Sequence, residues 1–140
     1  MARASQTVRI QRPAAEVFDA LNDPELAPQW SSTVKSVDLS GPPKVGQTFT
    51  VEGSFLGVGI TMNCEVTDHD EPTRYAYRSQ SPLRMTLESD LEAVDGETDL
   101  TMTVDVDPGR LFAAAGPLFK RQVRKQLEGD LKRLKALLEE

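Results

Sequence analysis

The chain has few residues of the kinds that carry covalent or metal chemistry. Its 140 residues include one cysteine, Cys64, and one histidine, His69. A single cysteine cannot form an internal disulfide, and one cysteine with one histidine cannot supply a structural zinc site. The spacing of the acidic residues matches no calcium-binding loop. We therefore expect no metal and no other cofactor.

Long apolar runs are also missing from the beginning of the chain. The first twenty residues contain five charged side chains and no apolar run of seven residues. A signal peptide or a membrane span needs such a run. The sequence therefore predicts a cytoplasmic protein without stable membrane insertion.

Basic residues are scarce except near the C-terminus. The net charge is -6, yet residues 110–140 carry 8 basic and 4 acidic side chains. Excess negative charge repels nucleic acid, so no nucleic-acid partner is expected. The basic C-terminal face could attract an anionic membrane or a protein, although an ordinary solvated face has the same pattern.

The remaining composition is that of one globular domain, residues 1–140. Alternation predicts a first strand over residues 5–11, and helical spacing predicts a helix over residues 14–21. At most one or two helical turns are expected between Pro24 and Ala27, ended by Pro28. Trp30, the only tryptophan, follows directly.

From residue 33 to residue 106 the dominant period is two, which is typical of strands. Short links can join only antiparallel neighbours, so the segment predicts a meander of six strands. These strands cover residues 34–39, 48–55, 60–67, 74–79, 83–93 and 99–106. His69 then falls in the connection after the third of them, where a solvated loop residue is the ordinary interpretation.

The last segment changes to a helical period. Apolar residues are three or four positions apart, which predicts a long amphipathic helix; they are Phe119, Val123, Leu127, Leu131, Leu134 and Leu138. Gly116-Pro117 either kinks this helix or begins it, because proline is tolerated in the first turn but not in the interior.

These elements predict an internal space. Six strands span roughly 25–30 Å, whereas one helix is only about 10–12 Å wide. The sheet must therefore curl around the helix, and the short N-terminal helices must close what remains open. The apolar phase of the strands would line the space, and Trp30 would be either a lid or a packing plug.

The strand at residues 74–79 leaves two orientations open. Either Tyr75, Tyr77 and Ser79 face inward, or Arg74, Ala76 and Arg78 do. Burying an unpaired arginine is costly, which favours the tyrosines. Two phenols could then donate hydrogen bonds to a ligand.

The segment VRIQRPAAEVFDALNDPELAPQW resembles the opening of the START-like, helix-grip (SRPBCC) superfamily, in its polyketide cyclase/dehydrase and lipid-transport group. VGQTF at 45–49 and LEGDLKRLKALLE at 127–139 extend the likeness over the whole chain. The resemblance implies an α+β helix-grip fold, in which a curved antiparallel sheet wraps around a long C-terminal helix and two short helices follow the first strand. It also implies a hydrophobic cavity for a lipid, sterol, quinone or polyketide.

Two functions follow as expectations. The first is binding or carriage of a small hydrophobic ligand without catalysis, with Ser89 as a further polar contact. The alternative is a cyclase or dehydratase, which needs Arg78 or His69 turned into the cavity. Burial should raise the pKa of the Cys64 thiol and leave it unreactive. The oligomeric state stays open. The expected ligand-binding residues are Trp30, Phe49, Val51, Phe55, Met62, Cys64, Tyr75, Tyr77, Met85, Leu87, Met102, Val104, Phe112 and Phe119.

Overall fold

One seven-stranded antiparallel sheet forms the body of the computed structural model, which describes residues 2–39 and 41–140. Its spatial order is β1-β7-β6-β5-β4-β3-β2. The strands are β1 (Ala2–Ile10), β2 (Val34–Asp38), β3 (Thr48–Phe55), β4 (Val58–Asp70), β5 (Arg74–Ser79), β6 (Met85–Val94) and β7 (Glu97–Val106). The predicted meander is thus confirmed, with the first strand added at one edge beside β7.

Four helices accompany the sheet in the described part of the chain. They are α1 (Ala14–Leu21), α2 (Ala27–Trp30), α3 (Gly109–Phe112) and α4 (Pro117–Leu138), with a 3₁₀ turn at Ala113–Ala115. Gly116-Pro117 begins the long helix rather than kinking it. Pro28, expected to end a helical turn, instead lies in the first turn of α2, where its missing N–H costs nothing.

The two short helices cross the open face of the sheet. β1 and β2 are the opposite edges, so the chain between them must travel the full width of the sheet. α1 packs against β6 and β7, while α2 packs against β2 and α4. Together with α4 they cover the concave face.

The fourth strand differs from its prediction. It continues to Asp70 instead of ending near Thr67, and its pairing with β5 shifts between Val66 and Asp68. Such a bulge adds one residue and reverses the alternation beyond it. His69 therefore lies in a strand opposite Tyr75, and not in a solvated loop.

Charged side chains pair across the outer, convex face. Arg74 contacts Asp68, Glu88 and Asp90 at 2.7 to 3.2 Å, and Arg78 contacts Glu65 at 2.9 Å. These carboxylates raise the pKa of Arg74 above its ordinary value. Arg74 and Arg78 therefore face outward, so Tyr75 and Tyr77 face the inner, concave side of the sheet.

Candidate functional site: a cavity between the sheet and α4

The concave face has a filled part and a hollow part. At one end Ile10, Val17, Leu100 and Leu134 are completely buried, and none of them borders the cavity of the hollow part; we call these four residues the packed section. Further along β7 and α4, side chains border a cavity from Met102 onward and from Asp130 back to Phe119. α1 covers the packed section, whereas the segment from Leu21 to Val34, which includes α2, closes the hollow part.

The cavity has a volume of about 210 Å³ and a mainly apolar wall. β3 to β7 supply most of the wall, α4 supplies one side, and the segment from Leu21 to Val34 supplies another. Twelve of the fourteen expected ligand-binding residues border it: Trp30, Phe49, Val51, Phe55, Met62, Tyr75, Tyr77, Met85, Leu87, Met102, Val104 and Phe119.

Cys64 faces the concave side but does not border the cavity. It pairs with Phe49 on β3 and with Ser79 on β5. The rings of Phe49 and Tyr77 meet at 5.1 Å, although β4 separates their strands. The two rings therefore pass over β4 and cover Cys64. As expected, burial raises the pKa of this thiol, to about 12, so it stays protonated at neutral pH.

Phe112 is the second expected residue that lies outside the cavity. It is buried on α3, with its ring 5.5 Å from that of Phe55 and 5.4 Å from that of Phe119. Those two phenylalanines border the cavity, and Phe112 packs against their rings from outside it. Its role is to support the wall.

Both tyrosines of the chain border the cavity. Burial raises the pKa of Tyr75 to about 12 and raises that of Tyr77 further. Both phenols are therefore neutral at physiological pH and can donate hydrogen bonds. No protein partner accepts from either hydroxyl among the described residues, so both remain available to a ligand.

Within the described residues, three further polar atoms of the wall are buried without a hydrogen-bond partner. They are Asn22 Oδ1, Trp30 Nε1 and Ser89 Oγ. Asn22 uses its amide nitrogen to donate to the Phe18 carbonyl oxygen at 2.9 Å, which leaves Oδ1 free. Ser89 stands opposite Tyr75 in the β5–β6 ladder. Because an unpaired buried polar atom is costly, their position in one wall points to a ligand or ordered water as the partner.

Asp130 holds the closing segment to α4. Its carboxylate accepts from the Ser31 hydroxyl at 3.3 Å, from the Ser32 backbone N–H at 3.1 Å and from Arg133. Arg133 Nε in turn donates to the Trp30 carbonyl oxygen at 3.0 Å. Asp130 is buried and borders the cavity, but its carboxylate oxygens already accept hydrogen bonds from these donors.

The two side chains that the enzymatic alternative needs are turned elsewhere. Arg78 is on the convex face with Glu65. His69 is on the concave side of β4, but its ring packs edge-on against Phe18 at 5.1 Å and near Tyr75 at 5.9 Å, outside the cavity wall. Neither one can reach a molecule in the cavity from these positions.

Several wall residues were not expected from the sequence. Asn22, Ser31, Gln126 and Asp130 join the wall because α1, α2 and α4 meet there. One signal was available for Asp130, which is a charged residue three positions after Leu127 on the apolar stripe of the last helix. A charge on a buried stripe predicts a specific partner.

A curved antiparallel sheet that wraps around a long C-terminal helix over an apolar cavity defines a helix-grip domain for hydrophobic ligands. The chain belongs to the polyketide cyclase/dehydrase and lipid transport family, whose model matches residues 1–139. No curated protein matches the sequence.

Solved structures share the fold at low sequence identity. A START superfamily protein from Mycobacterium smegmatis is 19% identical with a TM-score of 0.80, covering 99% of this chain and 98% of its own. Ara h 8.0201 is 21% identical with a TM-score of 0.71, covering 97% and 96%. DynU16, a protein in the dynemicin biosynthetic locus, is 22% identical with a TM-score of 0.73; the match covers 99% of this chain and 48% of DynU16.

The described part of the chain contains no helix that is both long and apolar enough to cross a membrane. Residues 2–39 and 41–140 also contain no group of three or more His, Cys, Asp or Glu side chains that could hold a metal ion.

Proposed function

We propose that this protein binds or carries a compact hydrophobic molecule that has one or two hydroxyl or carbonyl groups. The observation that carries the proposal is an apolar cavity whose wall contains five polar side chains with unused hydrogen-bonding atoms: Asn22, Trp30, Tyr75, Tyr77 and Ser89. Apolar walls with a few polar groups are the general design of small-molecule sites.

The cavity volume narrows the ligand class. An apolar protein cavity of roughly 150 Å³ holds benzene, and drug-sized sites begin near roughly 300 Å³. A cavity of about 210 Å³ therefore suits one or two rings, as in a quinone or a small aromatic polyketide. It is small for a sterol.

Binding is favoured over catalysis by the state of the polar groups. Cyclisation or dehydration needs an acid or base that can exchange a proton near neutral pH. The raised pKa values of Tyr75 and Tyr77 keep both phenols neutral, and the Asp130 carboxylate is engaged by Ser31, Ser32 and Arg133. The two phenols are suited to donating hydrogen bonds to a ligand and to positioning it.

Native mass spectrometry of the purified protein tests the proposal. We expect a bound mass that organic extraction releases, and a thermal shift on adding 2-naphthol that exceeds the shift with naphthalene. The matched control is Val104→Phe, which fills the cavity from β7 and should abolish both signals. Protein that is repeatedly empty and gives no shift with either probe would contradict the proposal.

A further inference from the structure

The surface around the beginning of α4 has a charge unlike that of the remaining protein. Residues 108–127 contain five of the 16 basic residues and none of the 22 acidic residues. All five are exposed: Arg110, Lys120, Arg121, Arg124 and Lys125. This is a local excess of positive charge on a chain whose net charge is -6.

These five cations are also unpaired. Among the described residues none of them takes part in an ion pair or a side-chain hydrogen bond, and none has an unprinted partner. Arginines on the convex sheet face behave differently, since Arg9, Arg74 and Arg78 each contact at least one carboxylate. The positive charge near α4 is therefore not neutralised within the chain.

Two exposed leucines lie among the cations. Leu111 and Leu118 are each 50% exposed, and they are two of the three large exposed hydrophobic side chains in the described part of the chain. Each directly precedes a buried phenylalanine, and the Phe112 and Phe119 rings are 5.4 Å apart. This contact holds the two leucine-bearing segments next to each other.

Helix geometry places the leucine and the cations of α4 together. Leu118, Arg121 and Lys125 are spaced three and four residues apart, so they share one face of the helix. Phe119, at 2% exposure, and Val123 lie on the opposite face toward the sheet. We call the two leucines and five cations the basic–apolar patch.

We propose that the basic–apolar patch docks this protein on the surface of a lipid bilayer that contains anionic lipids. Cations attract acidic headgroups, and neighbouring exposed apolar side chains can enter the headgroup boundary. An acidic protein surface could bind the cations but would leave Leu111 and Leu118 in contact with water. Docking is peripheral, since no described helix is long and apolar enough to span a membrane.

The patch is adjacent to the cavity. Phe119 and Phe55 border the cavity, and Phe112 packs against both rings. A protein docked through Leu111 and Leu118 would therefore hold one end of the cavity wall against the bilayer. Docking itself does not depend on the identity of the ligand, so failure of the proposed ligand function would not affect it.

Vesicle co-sedimentation of the full chain tests the proposal. We expect binding to vesicles of phosphatidylglycerol and phosphatidylcholine, a loss of binding as salt rises, and no binding to pure phosphatidylcholine. Each basic residue near an anionic surface contributes roughly fivefold, so Arg121→Gln with Lys125→Gln should weaken binding roughly thirtyfold. The matched control, Lys35→Gln with Lys44→Gln, removes the same charge elsewhere and should bind like the wild type.

A second variant, with its own control, tests the two leucines of the patch. Leu111→Ser with Leu118→Ser should weaken vesicle binding about tenfold or more, whereas Val45→Ser, at the third exposed hydrophobic position, should not. Three outcomes would overturn the proposal. They are no binding of the wild type to the anionic vesicles, the same loss of vesicle binding in the Lys35/Lys44 control as in the Arg121/Lys125 variant, and unchanged vesicle binding in the Leu111/Leu118 variant. Binding to poly-glutamate without binding to vesicles would instead assign the patch to an acidic protein.

Discussion

The two parts of the concave face are built from the same strands and the same helix, yet one is filled and the other is hollow. Along β7, Leu100 is completely buried and borders no cavity, while Met102 and Val104 border it. Along α4, Leu134 is completely buried, and Leu127 borders the cavity. The difference lies in what covers each part.

α1 supplies the missing volume over the packed section. It packs against β6 and β7, and its buried residues Val17 and Phe18 fill space that α4 alone is too narrow to cover. The hollow part receives only the end of α1, the four-residue α2 and the segment that Asp130 holds to α4. One end of the core therefore contributes most of the stability and the other provides space for a ligand. The same kind of substitution should then change stability by different amounts in the two parts.

The largest difference should appear on removing leucine side chains. Leu134→Ala leaves a new cavity in close-packed surroundings and should lower the free energy of unfolding by about 3 to 4 kcal/mol. Leu87→Ala only enlarges an existing space and should cost about 1 to 2 kcal/mol, because fewer contacts are lost. Urea unfolding of both variants measures this, and equal losses would remove the distinction between the two parts.

Gly53 is the next most sensitive position of the hollow part. A Cβ there would lie 1.8 Å from the Thr33 carbonyl oxygen, so the closing segment would have to move. Gly53→Ala should cost about 2 to 3 kcal/mol and expose Trp30, as read by urea unfolding and tryptophan emission. Gly59→Ala in the facing strand meets nothing within 4 Å and is the control. Identical behaviour of the two variants would mean that Gly53 does not set the position of the segment.

A larger side chain should lower stability in the packed section and block ligand binding in the hollow part. Val17→Phe overpacks the packed section and should cost about 1 to 3 kcal/mol. Val104→Phe has space to enter and should change stability by less than about 1 kcal/mol while it removes binding of naphthalene. Calorimetric titration and thermal unfolding together test this. Retained binding in Val104→Phe would place the ligand elsewhere.

A smaller effect should appear at alkaline pH. Tyr75 has its pKa raised from 10.0 to about 12 by burial, whereas in the unfolded chain it returns to about 10. The unfolded state therefore loses its proton first, and stability that is complete below pH 10 falls as pH rises toward 12. Because the chain has only two tyrosines, ultraviolet titration should show little phenolate near pH 10 until the protein unfolds. Normal titration of both phenols in folded protein would contradict their burial.

Alternation of apolar residues was enough to predict the sheet, its curl around α4 and most of the wall. The bulge between Val66 and Asp68 could not be predicted, because it depends on pairing with β5, and it moved His69 from an expected loop to the concave side. Cys64 faces the concave side, as the alternation predicts, but the rings of Phe49 and Tyr77 from two other strands cover it. Such covering depends on tertiary contacts, which the spacing of apolar residues does not predict.

The polar part of the site was least predictable. Asn22 directly follows α1 and Trp30 ends α2. Their unused polar atoms meet the cavity only because the chain crosses the sheet at that point. Asp130 is recognisable as a charge on an apolar stripe, but its partners Ser31 and Ser32 are about a hundred positions away in the chain. Long-range contacts of this kind have no local signal.

The two isoleucines of the chain allow the most direct test, because Ile10 lies in the packed section and Ile60 borders the cavity. Methyl-labelled isoleucine spectra should be recorded while naphthalene is added. We predict that the Ile60 methyl resonance moves until the site is saturated and that the Ile10 resonance stays in place. No movement of Ile60, or an equal movement of both resonances, would contradict a ligand site in the hollow part of the core.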